Sequence, residues 1–327
     1  MSKYAFGVDI GGTTVKMGLF DKDGCVLDKW EIPTVKDNEG AAILPDVAES
    51  IRAKMQEKGI QLTDIEGIGV GVPGAVDDEG TAVNGAVNLG WGVFNIPKVL
   101  NAYLDVPVKA ANDANVAAFG EMWQGGGKGY ENLVAVTLGT GVGGGIIVGG
   151  RILSGATGAG GEIGHMHVED AETESCGCKN KGCLEQYASA TALARMTEEA
   201  AKANPDSVMN RLIEETGHSN AKIAFVAQRE GDKVADEVID KYTDYLADGL
   251  ANAINTFMPE VLVVGGGVCN EGDPLLIPMR EKTMSRPYFG PGVPKTEVRL
   301  AQMGNDAGIV GAAMMGMTCA IDGKNGK

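Results

Sequence analysis

Basic residues are scarce in this sequence. Its 327 residues include 28 lysines and arginines against 44 aspartates and glutamates, which gives a formal net charge of −16. Proteins that bind nucleic acids neutralise phosphates with a basic surface, and this composition supplies none. We therefore expect no nucleic-acid partner and no attachment to an anionic membrane surface.

The sequence also lacks a secretory signal and a membrane-spanning run. Its N-terminus, MSKYAFGVDI, has no apolar stretch between a basic start and a small-residue cleavage site. The longest uncharged run, residues 132–150, contains seven glycines and two threonines among its nineteen residues. That composition is typical of two short strands around a turn. We expect a cytoplasmic protein.

Aromatic residues make up only 5% of the chain, whereas glycine is abundant. The 49 glycines are about 15% of the residues, roughly twice the usual frequency of ~7%. They follow no collagen-like period. Such an excess predicts many positions where the backbone turns tightly or closely approaches a ligand.

Short apolar runs alternate with helical patterns along the chain. Residues 4–10 and 15–20 are predicted to be strands of a hairpin around the turn Gly11-Gly12-Thr13-Thr14. A third strand is predicted at 26–32, a helix at 41–58 and a buried strand at 67–72. Alternating strands and helices predict an α/β fold with mostly internal sheets.

The strand–turn–strand layout occurs twice. Residues 136–150 (VTLGTGVGGGIIVGG) repeat the pattern of residues 8–21 (VDIGGTTVKMGLFD) about 130 residues later. The repeat predicts two related domains that face one another. We expect a smaller N-terminal α/β domain at 1–118, joined by a C-terminal helix at 306–321, and a larger α/β domain at 119–305.

Glycine-rich turns are predicted at three places, residues 11–12, 139–145 and 265–267. Glycines between strands let backbone N–H groups converge on an anion, and threonine hydroxyls add donors. Asp9, at a strand end beside the first turn, could hold Mg²⁺ directly or through water. A single such turn could equally be an ordinary hairpin turn, but three together favour phosphate binding. None matches the Walker A or dinucleotide fingerprint, which disfavours P-loop and Rossmann chemistry.

Three of the six cysteines cluster at Cys176, Cys178 and Cys183, and His165 lies eleven residues before the first of them. Three thiolates and one imidazole make a complete tetrahedral set for a structural Zn²⁺, which a reducing cytosol favours over a disulfide. The alternative is three unrelated thiols. The rival imidazole, His167, alternates with His165 on an extended segment and is expected to face the other way. The remaining cysteines are predicted to be buried as small apolar side chains: Cys25, Cys269 and Cys319.

Asn112 and Asp113 lie in VKAANDANVAA, where a predicted strand gives way to a helix. A carboxylate at such a boundary can accept a hydroxyl proton at the mouth of a cleft, as the general base of phosphoryl transfer does. The same residues could instead cap the helix N-terminus, a role that Asp and Asn fill routinely. The residues by themselves favour the cap.

Several of these motifs resemble those of a known family. VDIGGTTVK, LGTGVGGG and VVGGGV resemble the two phosphate motifs and the adenosine motif of the actin/hexokinase/Hsp70 superfamily. GEIGHMHVE followed by CGCKNKGCLEQYAS resembles the signature of the ROK family of sugar kinases and regulators. The resemblance covers essentially the whole chain. It implies a two-domain, actin/hexokinase-like α/β fold (ribonuclease-H-like), with ATP and a sugar bound in the cleft between the domains.

The resemblance also implies roles for individual residues. Asp113 becomes the catalytic base, and His165 could bind zinc through one ring nitrogen and a sugar hydroxyl through the other. The implied sugar-binding residues are Gly74, Asn88, Asn112, Asp113, Glu162, His165 and Glu185. The zinc ligands are His165, Cys176, Cys178 and Cys183. The nucleotide and Mg²⁺ contacts are Asp9, Gly11, Gly12, Thr13, Thr14, Lys16, Thr140, Gly141, Gly143, Gly144, Gly265, Gly266 and Gly267. Glu185 could also be an ordinary surface acid, and Trp91 could equally belong to the core.

The implied reaction is transfer of the γ-phosphoryl group of ATP to a hexose hydroxyl, with O6 of glucose as the expected acceptor. Kinases for N-acetylmannosamine, N-acetylglucosamine, fructose or allose share these residues and stay open as alternatives, as does a sugar-sensing regulator of the same family. Only eight residues precede Asp9, which disfavours the DNA-binding motif of such a regulator. The net negative charge disfavours polyphosphate as donor. The resemblance further implies a homodimer or homotetramer.

Overall fold

The structure is a computed structural model that describes residues 4–325, with side chains described as far as residue 318. The chain forms two compact units. The first comprises Met1–Glu131, Gly145–Gly161 and Gln302–Lys327, and the second comprises Asn132–Gly144 and Glu162–Ala301. The boundary expected between residues 118 and 119 falls inside a helix, Asp113–Gln124, because its buried residues continue on both sides of that point.

The first sheet has five strands in the order β3-β2-β1-β4-β7. Their bounds are Tyr4–Ile10 (β1), Thr14–Asp21 (β2), Val26–Pro33 (β3), Ile65–Val72 (β4) and Val108–Asn112 (β7). β1, β2 and β3 pair antiparallel, whereas β4 is parallel to both β1 and β7. The predicted hairpin, third strand and buried strand are confirmed. Two short strands form a separate antiparallel pair: Thr81–Ala82 (β5) and Phe94–Asn95 (β6).

The second sheet has the order β10-β9-β8-β11-β12. Its strands are Leu133–Leu138 (β8), Val142–Val148 (β9), Arg151–Ile152 (β10), Val261–Gly265 (β11) and Glu297–Leu300 (β12). β8, β11 and β12 are parallel. The predicted repeat is thus confirmed as strand, glycine turn and strand, and the third glycine segment begins where β11 ends.

Helices make up most of the remaining regular structure, and none of those described is long and apolar enough to cross a membrane. The α-helices are Asp37–Gly40 (α1), Ile43–Lys58 (α2), Ile96–Asn101 (α3), Asp113–Gln124 (α4), Glu185–Ala188 (α5), Ala190–Ala203 (α6), Val208–Thr216 (α7), Ile223–Arg229 (α8), Lys233–Phe257 (α9), Asp273–Met284 (α10) and Ala307–Asn325 (α11). Five 3₁₀ helices lie at Leu62–Asp64, Val87–Leu89, Ile163–His165, Gly267–Glu271 and Gly304–Asp306. The helices predicted at 41–58 and 306–321 are confirmed.

Helix α11 packs directly on the backbone of the first sheet. A Cβ on Gly7 would overlap the backbone carbonyl of Ile309, and a Cβ on Gly69 would overlap that of Ala312. The helix and the strands therefore approach more closely than any larger side chain would allow. Part of the glycine excess serves this helix–sheet packing and not ligand binding.

Candidate functional site

The first glycine turn joins β1 to β2 and is closed by its own hydrogen bonds. The Gly11 N–H donates to the Thr14 carbonyl at 3.0 Å. The Thr34 hydroxyl, just after β3, donates to the Gly11 carbonyl at 2.7 Å. The sequence analysis missed Thr34, because it reaches the turn only through the pairing of β2 with β3. Thr13 and Thr14 complete the turn between the strands.

Asp9 stands near the end of β1, beside this turn. Burial and the negative charge of Asp113 raise the pKa of Asp9 to about 6, against the opposing effect of Lys16. Lys16 is the cross-strand partner of Asp9 on β2. The carboxylate also lies close to the start of α11, where a Cβ on Gly308 would come within 2.5 Å of its Oδ2. The first unit thus holds a carboxylate whose ionised form is disfavoured by partial burial and by a second negative charge.

Asn112 and Asp113 stand where β7 passes into α4. Asn112 is the helix cap: its Oδ1 accepts hydrogen bonds from the N–H groups of Ala114 and Asn115, at 3.0 and 3.2 Å. Its Nδ2 donates to the Gly74 carbonyl at 3.1 Å. Asp113 is the first residue of the helix, and its Oδ1 accepts hydrogen bonds from the Ala114 N–H at 2.8 Å and from Asn112 Nδ2 at 3.0 Å.

The remaining sequence candidates of the first unit lie apart from this cluster. Asn88 is exposed in the 3₁₀ helix Val87–Leu89, and no described hydrogen bond links it to Asn112 or Gly74. Trp91 is 6% exposed, belongs to the apolar core and donates from its indole N–H to the Gly40 carbonyl at 3.1 Å. The structure therefore places Trp91 in the core.

The second glycine turn joins β8 to β9 and has a carboxylate against it. Glu185, the first residue of α5, accepts a hydrogen bond from the Val142 N–H through Oε2 at 3.2 Å. A Cβ on Gly141 would overlap the same oxygen. Thr140 is exposed at the tip, and Gly143 and Gly144 lie within β9. Glu185 is thus not an ordinary surface acid but a contact of the turn.

The third glycine segment follows β11. Gly266 has a φ of 99°, and a Cβ there would overlap the Leu138 carbonyl at the end of β8. No described atom lies within 4 Å of the Cβ position of Gly267. Gly265 ends the strand, and the chain then forms the 3₁₀ helix that contains Cys269. The segment packs against the strand that leads into the second turn.

The predicted zinc ligands come together in the second unit. One ligand atom from each of His165, Cys176, Cys178 and Cys183 lies within 4.8 Å of every other. The Sγ atoms of Cys178 and Cys183 are 3.6 Å apart, and His165 Nδ1 is 3.7 Å from Cys176 Sγ. Tetrahedral Zn²⁺ with Zn–S bonds of about 2.3 Å separates its ligand atoms by about 3.8 Å. The donor set and its spacing fit a structural zinc ion.

The pKa values of the buried thiols in this cluster are raised. Burial raises the pKa of Cys176, and burial together with its two neighbouring thiols raises the pKa of Cys183 to about 12. Crowded, buried thiols of this kind lose their protons when a divalent cation binds them. Zinc binding to this cluster would therefore release protons from the thiols.

His165 presents different nitrogens to its two neighbours. Its Nδ1 faces Cys176, whereas its Nε2 is 4.0 Å from Oε2 of Glu162. Glu185 Oε1 accepts a hydrogen bond from the Cys176 thiol at 3.2 Å. The predicted polar sugar-binding residues of this unit, Glu162, His165 and Glu185, thus surround the cysteine cluster.

Two other sequence expectations have different outcomes. His167 lies outside the four-ligand set: its Nε2 contacts Asp170 at 2.8 Å and its Nδ1 contacts the Lys181 carbonyl at 3.0 Å. The expectation that Cys25 is buried is wrong, because it lies in an exposed turn between β2 and β3. Cys269 is partly buried, and the side chain of Cys319 lies outside the described residues.

Sequence reasoning also missed Glu121, a carboxylate that is 4% exposed near the end of α4. It accepts hydrogen bonds from the backbone N–H groups of Gly126, Gln302 and Met303. These bonds tie α4 to the segment that leads into α11. In the sequence, the only signal for Glu121 is that an acidic residue lies among apolar ones shortly before the glycines at 125–127.

Comparison with known proteins places these features in a family. A family model described as "ROK family" matches residues 5–318. A glucokinase of Halalkalibacterium halodurans is 39% identical over 315 residues, which cover 96% of this chain and 94% of the relative. A glucokinase of Thermotoga maritima is 37% identical over 312 residues, which cover 94% of this chain and 95% of the relative.

Solved structures agree with these relatives. The crystal structure of a ROK family glucokinase from Streptomyces griseus, in complex with glucose and AMPPNP, has a TM-score of 0.74 and 34% sequence identity. The alignment covers 96% of this chain and 99% of that one. The expected fold class, a two-unit actin/hexokinase-like α/β fold, is confirmed. The chain belongs to the ROK family.

Proposed function

We propose that this chain is an ATP-dependent glucokinase that transfers the γ-phosphoryl group to O6 of glucose, with Asp113 as the general base. The observation that carries the proposal is the junction of β7 and α4. There Asn112 caps the helix and donates to the Gly74 carbonyl and to Oδ1 of Asp113, which fixes the position of the Asp113 carboxylate at the helix start. Relatives named as glucokinases, 37–39% identical over most of the chain, support glucose as the acceptor.

Asp113 would accept the proton of the attacking hydroxyl as the new O–P bond forms and the bond from the γ-phosphorus to the β–γ bridging oxygen breaks, with ADP as the leaving group. Such catalysis is mostly positioning together with stabilisation of charge on the transferring group. Asn112 and Gly74, already joined by a hydrogen bond, are suited to orient the sugar beside that carboxylate. Asn88 is the further sugar contact that we propose in this unit.

Asp9 is the proposed contact for Mg²⁺. A buried oxygen ligand beside a glycine turn fits a hard divalent cation, which prefers carboxylate and water oxygens. When bound, Mg²⁺ would neutralise charge on the phosphates of ATP. Backbone N–H groups of both glycine turns would donate to the phosphates, and Lys16 would add a positive charge beside the first. Nucleotide contacts are proposed for Asp9, Gly11, Gly12, Thr13, Thr14, Lys16, Thr140, Gly141, Gly143, Gly144, Gly265, Gly266 and Gly267.

In the second unit, we propose that Glu162, His165 and Glu185 bind sugar hydroxyls. Carboxylates suit this task because each oxygen accepts more than one hydrogen bond from a polyol. His165 Nε2 is free to face a hydroxyl while Nδ1 faces the cysteines. The four-ligand set would hold Zn²⁺, which would supply rigidity to the surrounding loop and no chemistry of its own.

The proposal is tested first by a panel of acceptors. Purified protein is assayed in a coupled reaction with ATP against glucose, mannose, fructose, allose, N-acetylglucosamine and N-acetylmannosamine. The expected result is the highest kcat/KM for glucose. A higher value for another hexose would make that sugar the substrate, and no turnover of any would favour a sugar-sensing protein. Replacing ATP with polyphosphate in the same assay tests the donor.

The second test addresses Asp113. Asp113→Asn is expected to lower kcat by about 10²–10⁴-fold, the usual size of a general-base contribution, and to leave glucose binding nearly intact. Asp105→Asn, which changes an exposed aspartate of the same unit, serves as the matched control. Wild-type turnover of the Asp113 variant would remove that residue from the role.

Two broader features belong to the same proposal. A cytoplasmic location agrees with a kinase that uses ATP, and cell fractionation would test it. A homodimer or homotetramer is proposed from the family resemblance, and light scattering of the purified protein measures the mass directly.

A further inference from the structure

The loop that carries the cysteines has almost no regular structure. No helix or strand is assigned between the 3₁₀ helix at Ile163–His165 and α5, and three of the four cluster ligands lie in that interval. Ordering such a loop costs conformational entropy for every residue. Contacts outside the cluster must therefore help to hold the ligands in place.

Two glutamates in this loop point back to the helices. Glu169 Oε2 accepts a hydrogen bond from the Tyr245 hydroxyl of α9 at 2.6 Å. Glu172 Oε2 accepts one from the Tyr187 hydroxyl of α5 at 2.6 Å. These hydroxyl bonds lower the pKa of Glu169 and of Glu172, whereas burial and the bonded carboxylates raise the pKa of each tyrosine. At neutral pH each pair is thus a protonated hydroxyl that donates to an ionised carboxylate, and charge-assisted bonds of this kind are the strong ones.

The two tyrosines also contact each other. The rings of Tyr187 and Tyr245 are stacked, with centroids 4.3 Å apart and an interplanar angle of 29°. Tyr187 is 8% exposed and lies two residues after Glu185 on the same short helix. The stack therefore joins α5, α9 and the cysteine loop at one point.

Gln186 adds a shorter connection beside the stack. Its Oε1 accepts the Cys183 N–H at 3.1 Å, and its Nε2 donates to the Glu174 carbonyl at 3.0 Å. This residue braces the loop against α5 close to the ligands. The tyrosines, in contrast, fasten residues 169–172, the part of the loop that precedes Cys176.

We propose that Tyr187 and Tyr245, through Glu169 and Glu172, are positioning residues that latch the cysteine loop onto α5 and α9. By fixing the approach to Cys176, this tyrosine–glutamate latch keeps the four-ligand set assembled. Because Glu185 contacts Cys176, the latch also keeps that carboxylate at the second glycine turn. The inference rests on the zinc site of the proposed function and goes beyond it by naming residues that touch neither metal nor sugar.

The test removes one hydroxyl and keeps the stacked ring. Tyr245→Phe is compared with wild type and with Tyr288→Phe, a matched change at a tyrosine that is 77% exposed. Zinc release from the holoprotein to a colorimetric chelator is followed over time. Tyr245→Phe is expected to release zinc about tenfold faster, within the 10–100-fold range seen when residues that support metal ligands are lost. The KM for glucose should rise more than the KM for ATP.

The possible outcomes separate the latch from the zinc site. Zinc release from Tyr245→Phe at the rate of Tyr288→Phe would overturn the latch and leave the zinc site standing. A wild-type protein that retains no zinc would instead overturn the zinc site, and the latch with it. If Tyr245→Phe does not fold, as judged by circular dichroism, Glu172→Gln weakens the other pair and must give the same faster release. The protein could also show the predicted zinc release but phosphorylate none of the hexoses. That result would contradict the kinase proposal and leave the latch standing.

Discussion

The two glycine turns share a sequence pattern but differ in the source of their acidic neighbour. The first turn lies beside Asp9, which comes from its own leading strand and is partly buried. The second turn contacts Glu185, which comes from a helix 43 residues beyond Val142 and also touches the cysteine cluster. One turn therefore has its acidic neighbour in its own hairpin, whereas the other has it in a helix far along the chain.

Two turns with the same sequence pattern can therefore contact different regions of the same protein. A change at the first turn should act on charge, because its neighbours are Asp9, Asp113 and Lys16. A change at the second should act on geometry, because Glu185 connects the turn with the metal ligands. The predictions below separate these two kinds of effect.

The largest expected effect concerns Asp9 and pH. Its folded-state pKa of about 6 exceeds the ordinary value of 3.8, so the folded state holds this proton more tightly than the unfolded state. The stability contributed by the proton is present below about pH 4 and is lost as pH rises through about 6. The difference between these two pKa values corresponds to a free energy of about 3 kcal/mol. The free energy of unfolding of Asp9→Asn should therefore exceed that of wild type by up to this amount above pH 6.

Urea denaturation in metal-free buffer between pH 4.5 and 7.5 measures this difference. Asp105→Asn is the control. Its free energy of unfolding should not rise relative to that of wild type as pH increases through 6. Added Mg²⁺ should reduce the difference in free energy of unfolding between Asp9→Asn and wild type at pH 7.5, because it stabilises the ionised carboxylate of wild type. A gap between Asp9→Asn and wild type that stays constant across the range contradicts the assignment.

The second expected effect follows metal removal. Chelation of zinc should weaken glucose binding by about 10–100-fold, because the loop with Glu162, His165 and Glu185 loses its support. ATP binding should be nearly unchanged. Isothermal titration of each ligand into holo- and metal-free protein measures both, and unchanged glucose affinity without metal would contradict the coupling. His165→Asn should lose zinc, whereas His167→Asn should retain it.

A third change acts on the second turn itself. Gly141→Ala should push the Glu185 carboxylate aside, because the added Cβ would overlap its Oε2. A displaced carboxylate loses its hydrogen bond from the Val142 N–H, and the KM for glucose should rise about tenfold. Steady-state kinetics with glucose varied at saturating ATP measures the change. An unaltered KM would show that the turn tolerates the methyl group without moving Glu185.

The smallest effect is expected from the matched change at the first turn. Gly12→Ala adds a Cβ that has no described atom within 4 Å, so Tm should be unchanged. The same Cβ would stand beside backbone N–H groups that we propose as phosphate donors, so the KM for ATP should rise modestly. A variant with wild-type Tm and wild-type KM for ATP would indicate that phosphate does not approach this turn closely.

The sequence predicted features that depend on neighbours along the chain. The hairpin around Gly11, its repeat around Gly141 and the ligand spacing from Cys176 to Cys183 are all local patterns, because strand alternation and short motifs act over a few residues. The residues alone favoured a helix cap at Asn112 and Asp113. The family resemblance instead implied that Asp113 is the catalytic base. In the structure Asn112 provides that cap. Sequence patterns do not locate a helix terminus to within one residue, so they could not separate Asn112 from Asp113.

Features that depend on distant pairs were not predictable in this way. The closeness of Gly7 to Ile309 and the hydrogen bond of Tyr245 to Glu169 join residues far apart in the chain. The exposed position of Cys25 was missed because its apolar neighbours, Val26 and Leu27, are themselves about half exposed. The expected domain boundary falls inside α4, whereas the change of unit after Glu131 follows the glycine-rich residues 125–129 that come after that helix.

The packing of α11 on the first sheet has a consequence for protein synthesis. The strands β1–β7 and helix α4 leave the ribosome about 180 residues before the helix that covers them. At about 5–20 residues per second, that interval is on the order of 10–40 s. During this time the second unit is made in full, whereas the glycine-lined face of the first waits for its partner. The unit that is synthesised first is thus the one that can be completed only last.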